Sequence, residues 1–292
     1  MNNIKTYLIL FGGVFALSTS AIWVRVAAAP SSVTAFYRLA ITAAAMLPFF
    51  LLSKSCRAEV KALRRGQWGR TMAAGAFLAL HYLLWFESLN YTSIASSTVI
   101  VCLQPLFSIV LERVLLKSRF RPAALVGCGI ALIGSVIIGC GDFQISGLSL
   151  LGDVLAFVAA GVISGYYFLG QTIRKEVSAL TYSVLAYITS AAVLLIYTLV
   201  RGEALTGYPS QTWLAFVGIA LIATVGGQFV FNLLLKQLPA SAVTMSILGE
   251  PIGTCILAYL FLHESISLQQ LIGIVTIIGG LSVYFLVPSH KK

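Results

Sequence analysis

The sequence predicts an all-α polytopic membrane protein, with ten transmembrane helices forming two inverted five-helix repeats around a central cavity. Three observations predict it. Of 292 residues, 59% are hydrophobic and 10% are charged, and the mean hydropathy is +0.96, whereas soluble domains carry roughly 25% charged residues. The apolar residues run in unbroken stretches long enough for helices of about 20 residues, unlike the alternating segments of ~10 residues that build membrane barrels. Lys and Arg gather at the ends of these stretches, where an excess in cytoplasmic links orients a membrane protein.

Breaks at Pro, Gly and charged residues delimit each span. Thr6–Val26 follows Lys5 and precedes Ala27-Ala28-Ala29, the outline of a cleaved signal peptide. It outruns the core of such a peptide, about 7–15 residues, and reads as the first span. Val33–Ser53 contains Arg38, Arg70–Leu89 contains His81, and Thr92–Leu115 contains Gln104-Pro105. Pro122–Cys140 starts at a proline after Arg119 and Arg121. Leu148–Gly170 holds Gly161-Val162-Ile163-Ser164-Gly165, a GxxxG pattern suited to close helix contact. Leu180–Val200, Gln211–Phe231, Ala240–Leu262 with Glu250-Pro251, and Leu268–Pro288 complete the ten. Gly127 and Gly129 in the fifth span, and Gly273, Gly279 and Gly280 in the tenth, suggest the same close packing.

With the N-terminus inside, alternate links place sixteen of the nineteen Lys and Arg on the cytoplasmic side, from Lys5 through the Lys54–Arg70 and Arg113–Arg121 clusters to Lys291 and Lys292. Arg25 and Arg201 fall outside and Arg38 lies within a span. One missed helix would erase that asymmetry, so both termini are expected in the cytoplasm. The net charge of +10 is then an orientation signal, and a nucleic-acid partner is not expected. Cys102, Cys128, Cys140 and Cys255 lie in apolar runs and Cys56 in a basic loop, which gives no disulfide framework. No metal-ligand cluster or phosphate loop stands out, so no metal or other cofactor is expected.

The sequence repeats itself at a shift of 146 residues, which carries Thr98 onto Thr244, Pro105 onto Pro251, Leu111 onto Leu257, Gly127 onto Gly273 and Gly134 onto Gly280. Five spans per copy is an odd number, so the second copy, 144–292, enters the bilayer opposite to the first, 1–143. Inverted repeats are a transporter architecture, with the binding site near the midplane between the halves.

Polar residues within spans should face a cavity or a partner. His81, Gln104 and Glu250 each lie about 16 Å into a hydrocarbon core of about 30 Å, at ~1.5 Å per residue. Pro105 and Pro251 break or bend their helices beside Gln104 and Glu250. Gln104 either lines the cavity or hydrogen-bonds a neighbouring backbone. Glu250 must be paired, protonated or used in transport, including proton coupling. His81 is either a functional titrating group or a packing histidine. Arg38 and Glu87 lie at similar outer depth and are expected to pair, as a structural tie or as an outer gate. Trp23, Tyr37, Tyr82, Trp85, Tyr166, Tyr167 and Tyr187 either wall the cavity or serve packing and the interface. Asn232 reads as a helix-end hydrogen bonder or inner-gate element.

The stretch from Leu80-His81-Tyr82-Leu83-Leu84-Trp85-Phe86-Glu87 to Gln104-Pro105 resembles the EamA branch of the drug/metabolite transporter superfamily. So does Phe231-Asn232 through Leu238-Pro239-Ala240-Ser241 to Gly249-Glu250-Pro251-Ile252-Gly253, together with Arg38 and Gly273. The resemblance covers essentially the whole chain. It implies two inverted five-helix halves and secondary export or exchange of amino acids, related metabolites or drugs across the bacterial inner membrane. Two positions depart from the pattern: His263-Glu264 replaces the usual Gly-Glu before the last helix, and Ser118 stands where the first half would carry the matching carboxylate. Glu112 is expected to pair locally with Arg113 or Arg119.

The expected function is alternating-access transport of a small organic solute, with the lipid bilayer as the other partner. Efflux of drugs or toxic compounds is the alternative. An intramembrane protease would require Ser164 to pair with His81, and Ser164 reads better as part of a small-residue packing face.

Overall fold

The computed structural model describes residues 3–139, 147–262 and 266–286. The expected repeat boundary at 143/144, Cys140, His263, Glu264, Pro288, Lys291 and Lys292 lie outside the described residues. Helices occupy all ten expected spans, with revised boundaries and internal breaks. The first span is α1 (Asn3–Ser18) and α2 (Ser20–Ala27), separated at Thr19, whose hydroxyl donates to the Ala16 carbonyl at 2.7 Å. Ala28, at φ 45°, and Pro30 end it before α3 (Ser31–Leu52). The basic loop expected next is instead a short helix, α4 (Lys54–Ala62), capped by Ser53 Oγ accepting from the Cys56 N–H at 3.2 Å. Its folding buries Cys56.

The remainder of the first half is α5 (Arg65–Ser88), α6 (Ile94–Val101), α7 (Gln104–Leu115) and α8 (Pro122–Gly139). The second half begins with α9 (Gly147–Ile173) and α10 (Ala179–Val200). The eighth span comprises α11 (Ser210–Gly218), a π-helical stretch (Ile219–Gln228) and α12 (Phe229–Leu234). Then follow α13 (Ala240–Ile247), α14 (Glu250–Leu262) and α15 (Leu268–Leu286).

Among the described residues, eight rods are long and apolar enough to cross a bilayer. Of the expected ten, α8 is a shorter apolar rod, and α5, although 24 residues long, is more polar. Apolar side chains cover the outside, and Leu52, Val200 and Leu286 are 80–82% exposed. Such a surface is stable against lipid rather than water.

The two halves pack with matching contacts. α3 lies against α10 and α8 against α15, while α5 against α9 is mirrored by α1 against the π-helical stretch. At the α8/α15 seam a Cβ on Gly280 would fall 2.3 Å from the Ala131 nitrogen, and one on Gly134 would fall 2.7 Å from the Ile277 nitrogen. These are backbone contacts that only glycine permits. Gly129 and Gly279 have no neighbouring atom within 4 Å of such a Cβ, so they take no part in the seam. Gly161 and Gly165 on α9 instead accommodate the rings of Phe107 and Phe77.

Candidate functional site

Both Gln104 and Glu250 sit at a helix break. The backbone tightens to three-residue hydrogen bonding there, with Leu103 N–H donating to Ile100 O at 3.0 Å and Gly249 N–H to Ser246 O at 2.9 Å. Pro105 and Pro251 lack an N–H, so the carbonyls of Val101 and Ile247 lose their ordinary intrahelical partner. Cys102 Sγ lies 3.9 Å from the Ile247 carbonyl and offers it a weak donor.

The breaks flank a cavity of about 30 Å³, lined by Tyr82, Trp85, Gln104, Tyr167, Gln228 and Glu250 among others, with His81 at its wall. That space suits one or two water molecules. That is far smaller than the solute-sized chamber expected from the sequence, and Tyr82, Trp85 and Tyr167 are among the side chains at its wall. Tyr82 OH, Trp85 Nε1, Gln104 Oε1 and Gln228 Nε2 are buried there without a hydrogen-bond partner. Buried polar atoms are normally paired; others without a partner, such as Trp23 Nε1, Ser108 Oγ and Thr198 Oγ1, are spread through the core, whereas these four border the same cavity. His81 Nδ1 lies 3.0 Å from the Ala159 carbonyl. A carbonyl only accepts, so Nδ1 carries the proton there. The ring stacks on Trp85 at 5.9 Å and 18°.

Arg38 lies behind Tyr82, with its guanidinium carbon 4.1 Å from the ring centroid. Its Nε donates to Thr224 Oγ1 at 2.9 Å and its Nη1 to Ser20 Oγ at 2.7 Å. Thr224 belongs to the π-helical stretch, and its hydroxyl also donates to Ile219 O, five residues back, at 3.0 Å. Nη2 has no partner.

The expected Arg38–Glu87 pair does not form. Glu87 accepts from Asn90 Nδ2 at 3.2 Å and from Tyr91 OH at 3.4 Å. Tyr82 and Glu87 are about 7.5 Å apart along α5 at ~1.5 Å per residue, and Arg38 takes the inner, ring-facing position. Trp23 and Tyr37 also lie away from the cavity. Tyr37 stacks on Phe216 at 4.8 Å and donates to the Leu205 carbonyl at 2.7 Å, while Trp23 covers Gly218. Adjacent helical residues point about 100° apart, so Arg38 and Tyr37 cannot both face the centre.

Tyr166 and Asn232 form a polar tie beside the cavity. Asn232 Nδ2 reaches Tyr166 OH at 2.6 Å, Ser183 Oγ at 2.9 Å and Tyr187 OH at 3.3 Å, joining α12 to α9 and α10. Ser164 donates to the carbonyls of Gln104 and Ala160, each at 2.8 Å, and makes no bond to His81. Glu112 pairs with neither Arg113 nor Arg119, but accepts two hydrogen bonds from Ser241.

Sequence reasoning missed Ser18, Ser20, Thr224, Gln228 and Asp153. The 146-residue shift contains part of the signal, because it carries Ser18 onto Ser164 and Tyr82 onto Gln228.

Two related halves of membrane-crossing helices around a small cavity that several polar groups border define a multi-pass membrane transporter fold. The EamA-like transporter family matches residues 4–140 and again 150–286, and the chain belongs to that family. It is 28% identical over 297 residues to YwfM of Bacillus subtilis (strain 168), an uncharacterized transporter, covering 99% of this chain and 96% of that one. It is 26% identical over 189 residues to the riboflavin transporter ImpX of Fusobacterium nucleatum subsp. nucleatum (strain ATCC 23726 / VPI 4351), covering 62% and 63% of the two chains. A protein crystal structure aligns with a TM-score of 0.81 at 18% identity over 98% of this chain and 99% of the other, which fixes the fold alone.

Proposed function

We propose that the chain is a secondary transporter of a small zwitterionic solute of the amino-acid type, working by alternating access in the cell inner (plasma) membrane. Both termini are cytoplasmic on this reading, and 1–143 and 144–292 are the halves that rock. The observation carrying it is the set of unpartnered atoms at the cavity. Trp85 Nε1, Tyr82 OH and Gln228 Nε2 offer donors and Gln104 Oε1 an acceptor, and the Glu250 carboxylate, which lines the same cavity, adds a further acceptor. Donors suit a carboxylate and acceptors suit an ammonium group. Arg38, behind Tyr82, adds a positive field on the donor side. The cavity of about 30 Å³ must widen to admit such a solute, as the rocking of two repeats provides. Glu250 is the proton-coupling group and transport runs outward or by exchange.

The test is counterflow of labelled amino acids in proteoliposomes. Accumulation of label against unlabelled solute inside is expected, and its absence across the amino acids would remove this reading. The stacked His81 and Trp85 rings favour a second reading, a flat heterocyclic solute, which the same assay decides with riboflavin.

A further inference from the structure

Two carboxylates outside the central cavity each hold the start of a broken helix in the opposite repeat. Glu112, in α7, is fully buried. Its Oε1 accepts from the Ser241 backbone N–H at 2.9 Å and its Oε2 from the Ser241 hydroxyl at 2.8 Å. Ser241 is in the first turn of α13. Gln171 on α9 adds a second tie there, accepting from the Ala240 N–H at 2.8 Å. Asp153, also on α9, accepts with Oδ1 from the Thr92 hydroxyl at 2.9 Å and the Ser96 hydroxyl at 2.8 Å. These residues flank Ser93, the N-cap of α6. The 146-residue shift carries Ser93 onto Pro239, the N-cap of α13. The two tied helix starts are therefore repeat-related, whereas the carboxylates that hold them are not, since the shift carries Glu112 onto Ala258 and Tyr7 onto Asp153.

They also lie toward opposite ends of the bundle. Ser96 and Glu112 belong to the same broken rod, about 24 Å apart along it at ~1.5 Å per residue. The half-helices α6 and α13 each stop at a break next to the cavity, so each can tilt from its break once its far end is released. A carboxylate accepting from N–H and O–H donors makes a strong, directional bond that is easily exchanged for water when the end opens.

We propose that Glu112 and Asp153 are the two gate latches of the transport cycle, positioning residues that hold α13 and α6 shut at opposite ends so that one end opens while the other stays tied. This rests on the alternating-access reading above. The structure, with both ties made and a cavity of about 30 Å³, is the occluded state.

The test is hydrogen–deuterium exchange of the full chain in nanodiscs, which needs no solute. Glu112→Gln should raise exchange across residues 240–247 by roughly tenfold, the population shift expected from losing one charge-assisted hydrogen bond. It should also slow exchange across 92–101, because opening one end keeps the other shut. Asp153→Asn should do the reverse. Should either variant fail to fold, Ser241→Ala and Ser96→Ala remove the partner hydroxyls and carry the same expectation. Changes confined to the loosened end, or of the same sign at both ends, would reduce the ties to local packing and overturn the proposal. Opposite changes together with failed counterflow would instead keep the latches and discard the solute reading.

Discussion

Ser18 Oγ donates to the Glu250 carbonyl at 3.1 Å, and Ser164 Oγ, which the repeat places at the same position in the other half, donates to the Gln104 carbonyl at 2.8 Å. Each serine also bonds the carbonyl four residues back in its own helix, Val14 and Ala160 respectively. The first helix of each repeat thus holds the residue before the proline in the other repeat, which fixes both polar residues at the cavity wall. Ser18→Ala and Ser164→Ala should each cost about 0.5–1 kcal/mol, the scale of one interhelical hydrogen bond in a membrane protein. Thermal unfolding in detergent measures it, and a large inequality between the two would break the symmetry.

The α8/α15 seam predicts a contrast among glycines. Gly280→Ala should destabilise strongly, because its new Cβ would meet the Ala131 nitrogen at 2.3 Å, and helix backbones cannot yield as a flexible side chain can. Gly129→Ala and Gly279→Ala meet nothing within 4 Å. They should be neutral or stabilising by up to about 1 kcal/mol through helix propensity. The melting temperatures of the three variants check this order.

Composition and the apolar runs made most of this fold legible, and the 146-residue repeat located both helix breaks. What escaped prediction depends on which way a side chain turns. Depth along a helix placed Arg38 beside Glu87, but rotation about the axis sent Arg38 over Tyr82. A single rod was expected where α11, the π-helical stretch and α12 lie, because a shift from four- to five-residue hydrogen bonding leaves no mark in an apolar run. Thr224, the hydroxyl that this shift aims at Arg38, was invisible for that reason. Glu112 was read against its sequence neighbours, whereas its partner, Ser241, lies in the other repeat.

Arg38 should prove indispensable for folding independently of Glu87. Arg38→Ala removes a stacked, doubly hydrogen-bonded side chain from a fully buried position, an expected loss of about 3 kcal/mol. Glu87→Ala should stay within about 0.5 kcal/mol, as for a residue outside the core. Reversing both charges, Arg38→Glu with Glu87→Arg, should not restore what Arg38→Glu loses. Yield of monodisperse protein and its melting temperature report the result, and rescue by the double variant would reinstate the ion pair.

Glu250 is expected to separate coupling from binding. Its carboxylate lines the cavity within electrostatic reach of Arg38, and its backbone is held by Ser18. Glu250→Gln keeps the shape and an acceptor oxygen but cannot exchange a proton. Uptake driven by a pH gradient should vanish while solute exchange persists. Unchanged gradient-driven uptake would assign the coupling elsewhere.

Trp85 and Gln104 distinguish a binding site from a poorly packed core. Trp85 Nε1 and Gln104 Oε1 have no partner in the structure, so removing them gives up no protein hydrogen bond and relieves a buried unsatisfied group. Trp85→Phe keeps an aromatic ring against His81, and Gln104→Leu keeps nearly the same volume. Both should therefore retain or raise the melting temperature. If these atoms receive the solute, the same variants should raise the KM for exchange by roughly tenfold, the value of one hydrogen bond to a charged group. Loss of stability with KM unchanged would mean that the atoms serve the fold, and the binding site would have to lie elsewhere.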